Sequence, residues 1–525
     1  MMLLPACTGS SEPAEPSQER APIQDSDKLA CTNIDDQIAR ARRGWVPYRG
    51  QDIGLIPREP NYIGFAAQPV HTGPWDYLAE IPLVFYGPGI VDPTGDVAGE
   101  VTLADVAPTY ASLAGYEGFA RQKLDGKALD ISTRKPALIV TMVWDGGGWN
   151  TLRSHPRAWP HLKRAMAEGM SFVEAEIGST PSNTPPIHTT LGTGVFPRRH
   201  GIPAVKMRAT PEFIDPYLGN NADRVRVPSL ADLYDRSTNN EAKIGLVATV
   251  NWHLGMIGHG SHFQGGDRDQ VTLLNDQAAI FGDATAYELV EPAAGSIANE
   301  TTQLDSGDGE VDSQWRGHDL SDPSVRYSSP AWVGYQADVL EAFIAGNGYG
   351  KTGGLTDMVF TNFKSIDDAG HKWGTDSPEV AELVSATDDA FNDLTKSLDR
   401  VVGEGRWLVV VTADHGQTPY PADSGAWPIG GGELRRDVNA ELDASDDGKD
   451  LVTQVTSAGA FVDRSQLRAA QLTLAEVARW IAGYRVGENL KDGTALPEGF
   501  AGREDEPLFD AAVVRDGKAI VTCER

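Results

Sequence analysis

Three short stretches place carboxylates and imidazoles where metal or phosphate chemistry could be done. Asp145 opens a DGGG turn, Asp367 stands four residues before His371 in DDAGH, and Asp414 adjoins His415 in ADHGQ. Each alone reads as an ordinary turn or a local hydrogen bond. Together they offer the oxygen and imidazole donors that hold zinc and similar divalent ions, and point to a dinuclear site. A fourth stretch, GSTPSNTPPIHTTLGTGVFPRRHGI (178–202), sets Thr184 ahead of Pro185 and Pro186. Proline suits the first turn of a helix. A hydroxyl there meets the positive end of the helix dipole and free backbone N–H groups, a setting for a phosphate oxygen. Threonine attacks poorly unless a base or a metal lowers its pKa, and capping the helix is its commoner role.

Apolar runs at 136–144, 243–250, 357–363 and 406–413 read as buried strands. Three of them end at the candidate groups. Segments with helical spacing, such as HLKRAMAEG and EVAELVSATDDAFNDLTKSLDRVV, alternate with them. This alternation predicts an α/β fold, a mostly parallel sheet with helices on both faces. In such sheets functional residues gather at the carboxyl ends of the strands. Residues 255–330 are poor in periodic apolar positions and rich in Gly, Asp and Ser, and read as an inserted cap over the sheet.

The 525 residues suffice for one large domain with insertions, and the 40% hydrophobic content is that of a globular protein. A formal net charge of -29 excludes the basic footprint of a nucleic-acid binder and general attraction to anionic membranes. With an anionic substrate, positive charge must be supplied locally, and bound metal is its natural source. No run of 18 apolar residues occurs. The cysteines are Cys7, Cys31 and Cys523, none in a C-x-x-C pair. MMLLPACTGSS resembles the end of a bacterial lipoprotein signal, with Cys7 as the lipidated residue, and the Ser-, Pro- and Glu-rich stretch after it reads as a surface tether. The expectation is a tail over 1–30 and a single catalytic domain over 31–525. The protein is expected outside the cytoplasm, at the cell surface or extracellular, touching membrane only through the Cys7 anchor.

Taken together, DGGG, NTPPIHTTLGTGVFPRRHGI, DDAGHKWG and TADHGQ resemble the alkaline phosphatase superfamily over most of 136–420. The nearest branch is the type I phosphodiesterase/nucleotide pyrophosphatase group. The resemblance implies an alkaline phosphatase-like fold, two divalent ions, expected to be Zn2+, and a threonine nucleophile. It places Asp145, Thr184, Asp414 and His415 on one ion, and Asp367, His371 and a third histidine on the other. In that family the third histidine comes late in the chain, yet no histidine follows His415 here. Instead QPVHTGPWDYLAEIPLVFYGPG (68–89), followed by LADVAPTYASLAG, resembles the family's C-terminal portion. The resemblance therefore implies a circular permutation in which residues 45–130 stand for that portion and His71 completes the second site. It also implies that Cys31 and Cys523 are neighbours, and in an exported protein a disulfide.

The activity implied is metal-dependent hydrolysis of a small phosphorylated substrate through a phosphothreonine. Monoesterases of the superfamily carry a Lys-x-Arg pair, but the matching position here reads Thr249-Val250-Asn251-Trp252. The diesterase branch usually has Asn three residues after the nucleophile, here Ile187. Asn183 and Asn251 are the substrate-binding candidates. Phosphodiester or pyrophosphate cleavage is favoured, with monoester hydrolysis and a catalytically degenerate surface-binding lipoprotein as alternatives. A sulfatase is disfavoured, because the C/S-x-P-x-R context is missing. His188 and His200 are expected to be structural or supporting and Asp368 to be solvated; His253, His259 and His262 are expected mainly to pack loops, with lining the pocket or binding an extra metal as the alternative.

Overall fold

The computed structural model describes residues 33–131, 134–210, 212–443, 447–491 and 494–523. Cys7, Cys31 and the lipoprotein-like tail lie outside them. Cys523 is disulfide-bonded.

The chain begins with helix α1 (Ile34–Gly44) and strand β1 (Ile53–Pro57). Strands β2 (Leu83–Tyr86) and β3 (Gly95–Val97) precede β4 (Leu138–Trp144) and β5 (Met170–Phe172). Helices α2 (Thr184–Thr193) and α3 (Leu230–Ser237) lead to β6 (Ile244–Ala248), β7 (Gln270–Leu274), β8 (Ile280–Phe281) and β9 (Glu288–Leu289). Next come α4 (Pro330–Gly346), β10 (Asp357–Phe363), α5 (Ser365–Trp373), α6 (Pro378–Val401) and β11 (Trp407–Thr412). The last are β12 (Val452–Thr456), β13 (Gly459–Val462), α7 (Leu474–Ala482), β14 (Phe509–Val514) and β15 (Ala519–Val521).

The main sheet has ten strands in the order β8-β7-β6-β10-β4-β11-β2-β5-β3, with β9 beside β7. Strands β7, β6, β10, β4 and β11 are parallel neighbours, as the apolar runs predict. Only β2 and β8 run against the rest. Every residue of β4, β10 and β11 is buried, as befits strands covered on both faces. Along β4 the faces alternate: Leu138, Val140, Met142 and Trp144 join the core beneath α4 and α6, while Ile139 and Val143 join the core beneath α2 and α3.

Strand β2 decides where the early chain goes. It is antiparallel to β11, with Leu83 opposite Thr412, so the residues before β2 lie at the carboxyl end of β11. The segment carrying His71 is thereby delivered to Asp414 and His415.

Two features differ from expectation. Part of 255–330 is not a cap: β7, β8 and β9 extend the main sheet, because the apolar side chains of QVTLL bury against β6. A second sheet, antiparallel and five-stranded in the order β12-β13-β1-β14-β15, also forms. It has its own core, including Ile53, Leu55, Val477, Ile481, Phe509 and Val514. Among the described residues no helix is long and apolar enough to cross a membrane.

Candidate active site

Strands β10, β4 and β11 are adjacent, so their carboxyl ends bring three groups together. Asp145 follows β4, and its N–H donates to Phe363 O at 3.0 Å, which locks that turn to the end of β10. Gly146 N–H donates to Asp414 Oδ1 at 3.2 Å. Asp367 and His371 lie on α5 rather than in a loop, one helical turn apart and therefore on one face.

Three clusters result here, each with donor atoms lying within 4.8 Å of one another; Asp145, His188 and His253 make one, and the other two carry the expected ligands. In the first of these two, His71 Nε2 and His371 Nε2 both stand 3.4 Å from Asp367 Oδ1. In the second, His415 Nε2 stands 3.5 Å from Asp145 Oδ1 and 3.5 Å from Asp414 Oδ2. His71 stacks on His415 with ring centroids 3.6 Å apart, joining the two clusters.

The tautomers follow from the other ring nitrogens. His71 Nδ1 faces Ser182 O at 2.6 Å, His371 Nδ1 faces Pro69 O at 2.8 Å and His415 Nδ1 faces Gly416 O at 2.9 Å. A carbonyl only accepts, so each Nδ1 carries the proton and each Nε2 presents a lone pair. Burial, with His415 and His371 nearby, also holds His71 well below its usual pKa and so neutral. These lone pairs face carboxylate oxygens at distances too long for hydrogen bonds. Donors placed tetrahedrally about zinc at ~2.0–2.1 Å stand ~3.3–3.4 Å apart, close to the spacings found here. His415 Nε2 and Asp414 Oδ2 are buried without a hydrogen-bond partner. The carbonyl behind each imidazole is the usual support of a metal-binding histidine. The residues present fit divalent ions of the zinc type.

Sequence reasoning missed Lys364. Its Nζ lies 3.0 Å from Asp145 Oδ1 and 2.6 Å from Asp367 Oδ2, bridging the clusters. Burial opposes its charge, but Asp145, Asp367 and Asp414 outweigh burial and hold the ammonium well above its usual pKa. Burial likewise opposes ionisation of Asp367, and Lys364, His371 and His71 overcome it, leaving that carboxyl well below the usual range. Burial and the neighbouring Asp414 push Asp145 up. The only sequence signal was position: Lys364 directly follows β10, three residues before Asp367.

Thr184 is buried as the first residue of α2. Ser182, two residues earlier, is tied to the His71 loop through its carbonyl and through Oγ, which donates to His71 O and Gly73 O. His188, one turn after Thr184 and on the same helix face, places Nε2 3.3 Å from Asp414 Oδ2. These links tie the residues two before and four after Thr184 to the His71 loop and to Asp414. Pro185 and Pro186 lack N–H groups and Ile187 N–H goes to Asn183 O, so the donors expected at this helix start reduce to Thr184 N–H. Asn183 Oδ1 is buried and unpartnered.

The remaining candidates are placed as follows. Asn251 Nδ2 donates to Tyr217 O and Asn220 Oδ1, so its donors hold that turn and are not offered to substrate. His253 fits the alternative of a group beside the site: its Nδ1 lies 3.0 Å from His188 Nδ1, and it clusters with Asp145 and His188. Asp368 is partly exposed, and it also accepts from Ser328 Oγ at 2.8 Å and Lys372 Nζ at 3.4 Å. His200 bonds Thr190 and the Ile202 N–H, and burial lowers its pKa to about 3. His259 pairs with Asp232, and His262 with Asp223.

Comparison with known proteins agrees with these motifs. Alkaline phosphatase PhoV of Synechococcus elongatus is 24% identical over 362 residues, 59% of this chain and 64% of that protein. The chain therefore spans just under two thirds of PhoV. Alkaline phosphatase PafA of Elizabethkingia meningoseptica is 23% identical over 411 residues, 66% of this chain and 72% of PafA. The crystal structure of wild-type PafA aligns at 18% identity with a TM-score of 0.49, covering 73% of this chain and 85% of that one. The family model described as type I phosphodiesterase / nucleotide pyrophosphatase matches residues 139–482, well over half of the sequence. The chain belongs to the type I phosphodiesterase/nucleotide pyrophosphatase family.

Proposed function

We propose that this protein hydrolyses phosphate esters of small molecules, with Thr184 as nucleophile and phosphodiester or pyrophosphate bonds as the favoured class. One observation carries the reading: three imidazoles with Nδ1–H on carbonyls aim Nε2 lone pairs at carboxylates 3.4–3.5 Å away. Lone pair facing carboxylate is repulsive unless a cation lies between them. Asp145, Thr184, Asp414 and His415 would hold one divalent ion, and Asp367, His371 and His71 a second, with zinc the best match to the donors. When bound, such ions lower the pKa of a coordinated hydroxyl and offset charge on phosphoryl oxygens.

The chain's own groups then divide the work. Thr184 Oγ1 attacks phosphorus, and its O–P bond forms as the bond to the leaving oxygen breaks. Water afterwards cleaves the phosphothreonine and restores the hydroxyl. Thr184 N–H would bind a nonbridging oxygen at the helix start. Gly146 N–H keeps Asp414 oriented through Oδ1.

The diester preference rests on residues 249–252. Thr249 is bonded to Tyr327 OH, Asn251 holds the 217–220 turn, and Trp252 Nε1 donates to Asp215, so this segment offers no cation for a dianionic phosphoryl group. The monoester alternative is favoured by the relatives, both named alkaline phosphatases. The same reading takes residues 45–130 as the family's C-terminal portion moved to the front. The family match starting at residue 139 and the pairing of β1 with β13 and β14 support it. The disulfide at Cys523 supports a location outside the cytoplasm.

The test compares wild type with His71→Ala and Thr184→Ala for bound metal and for hydrolysis of bis-p-nitrophenyl phosphate and p-nitrophenyl phosphate. His71→Ala is expected to lose one ion and most activity. Thr184→Ala should keep the fold and lose turnover ~10³-fold or more. Wild type should show the higher kcat/KM on the diester. Wild-type rates in Thr184→Ala would sink the nucleophile assignment, and a monoester preference would move the substrate class to the alternative.

A further inference from the structure

A further group of acidic residues lies away from the candidate active site. Asp235 on α3 and Asp267 and Asp269 ahead of β7 bring one carboxylate oxygen each within 4.8 Å of the others. Asp235 is 3% exposed and Asp269 4%, while Asp267 faces solvent. Buried carboxylates are normally paired or bound to a cation. Asp235 Oδ1 is buried without a hydrogen-bond partner. Asp232, one turn earlier on the same helix, makes the contrast: it accepts from Ser229 N, His259 N and His259 Nδ1.

Lys243 and Arg268 border the same recess as Asp267 and Asp269, and they donate to backbone carbonyls. Lys243 Nζ donates to Asn347 O at 2.6 Å, Arg268 Nη1 to Ala284 O at 3.5 Å, and Arg236 lies over the Phe263 ring. Asp267 and Asp269 line a recess of about 230 Å³ together with Asn240, whose Oδ1 is also buried and unpartnered. Burial and the carboxylates of Asp235, Asp232 and Asp267 push Asp269 well above the usual pKa range, as uncompensated carboxylates do.

We propose that Asp235, Asp267 and Asp269 form a binding site for one hard divalent cation, calcium by preference. The site borders the amino ends of β6 and β7, opposite the strand ends that carry Asp145 and Asp414, so its role is to pin α3 to the sheet edge. Oxygen-only donors select calcium or magnesium over zinc. An open recess with one exposed ligand leaves room for water and for the larger, more flexible shell of calcium.

The experiment is calorimetric titration of calcium into the full-length protein, loaded with its active-site ions and dialysed free of calcium, with melting temperature read in parallel. One equivalent should bind with a Kd of ~10⁻⁴–10⁻³ M or tighter, and the melting temperature should rise. Asp267→Asn, at an exposed position that does not endanger folding, should weaken binding at least tenfold and remove the rise. It should leave ester hydrolysis in calcium-free buffer unchanged. No binding by wild type at millimolar calcium would overturn the site and leave the carboxylates sharing protons. Calcium binding that Asp267→Asn does not weaken would place the ion elsewhere, and tighter binding of magnesium would overturn the choice of ion.

Discussion

At the scale of single residues, Lys364 stands apart from the donors around it. Its ammonium lies between Asp145 and Asp367, buried at 7% exposure, and is the one lysine or arginine among the described residues that pairs with either of them. Removing one partner of a buried charge pair leaves the other uncompensated, at ~3–5 kcal/mol. Lys364→Met should therefore destabilise the chelator-treated protein by about that much. With divalent ions bound, the carboxylates have another source of positive charge, so the loss should shrink. Urea denaturation of wild type and variant, each with and without metal, checks this. An equal loss in both states would show that Lys364 only packs. Nothing in KSIDDAGH distinguishes this lysine from an ordinary charge at a strand end, which is why the residue was not legible before the fold brought Asp145 beside it.

At the scale of elements, the site depends on three parallel strands ending at one level and on tight turns that follow them. The strand ends were legible because β4, β10 and β11 are uninterrupted apolar runs that stop at a charged or glycine-rich segment. Helix α5 was less so: nine residues give little periodic signal, and only the structure sets Asp367 and His371 on one face. The turn after β4 needs glycine. Gly146 has a φ of +71°, and a Cβ there would stand 2.3 Å from Gln417 Nε2 and 3.0 Å from Asp367 Cα. Gly146→Ala should cost ~1–2 kcal/mol for the left-handed backbone alone. It should also push α5 from Asp145, and misplacement of ~1 Å can lower turnover ~10²-fold. A thermal melt and a rate measurement separate the two effects. Full activity with a lowered melting temperature would mean that the turn does not set the distance between the clusters.

At the scale of the whole molecule, residues far apart in sequence complete both sheets. Antiparallel β2 carries His71 to the end of β11, and β1 enters the small sheet between β13 and β14. The first connection was legible because the segment around His71 resembles one that follows the D-H-G motif in relatives. The second was not, because β12, β13 and β15 are short and, apart from β13, only partly buried, and pairing across more than 400 residues leaves no local trace. The small sheet also holds a polar group poorly suited to its site. Asp510 on β14 is 2% exposed, and its Oδ1 has no hydrogen-bond partner. Burial, opposed by Arg58 and helped by Glu59, raises its pKa from 3.8 to about 7. A carboxyl whose folded pKa is raised binds its proton more tightly in the native state. Stability from this group is therefore fully present below pH 3.8, falls as pH rises toward about 7, and is level above that. A side-chain amide cannot ionise, so Asp510→Asn should gain stability relative to wild type between about pH 5 and pH 8. Urea midpoints at those two values test the sign. An unchanged difference between variant and wild type would mean that Asp510 is ionised throughout, with Arg58 as an adequate partner.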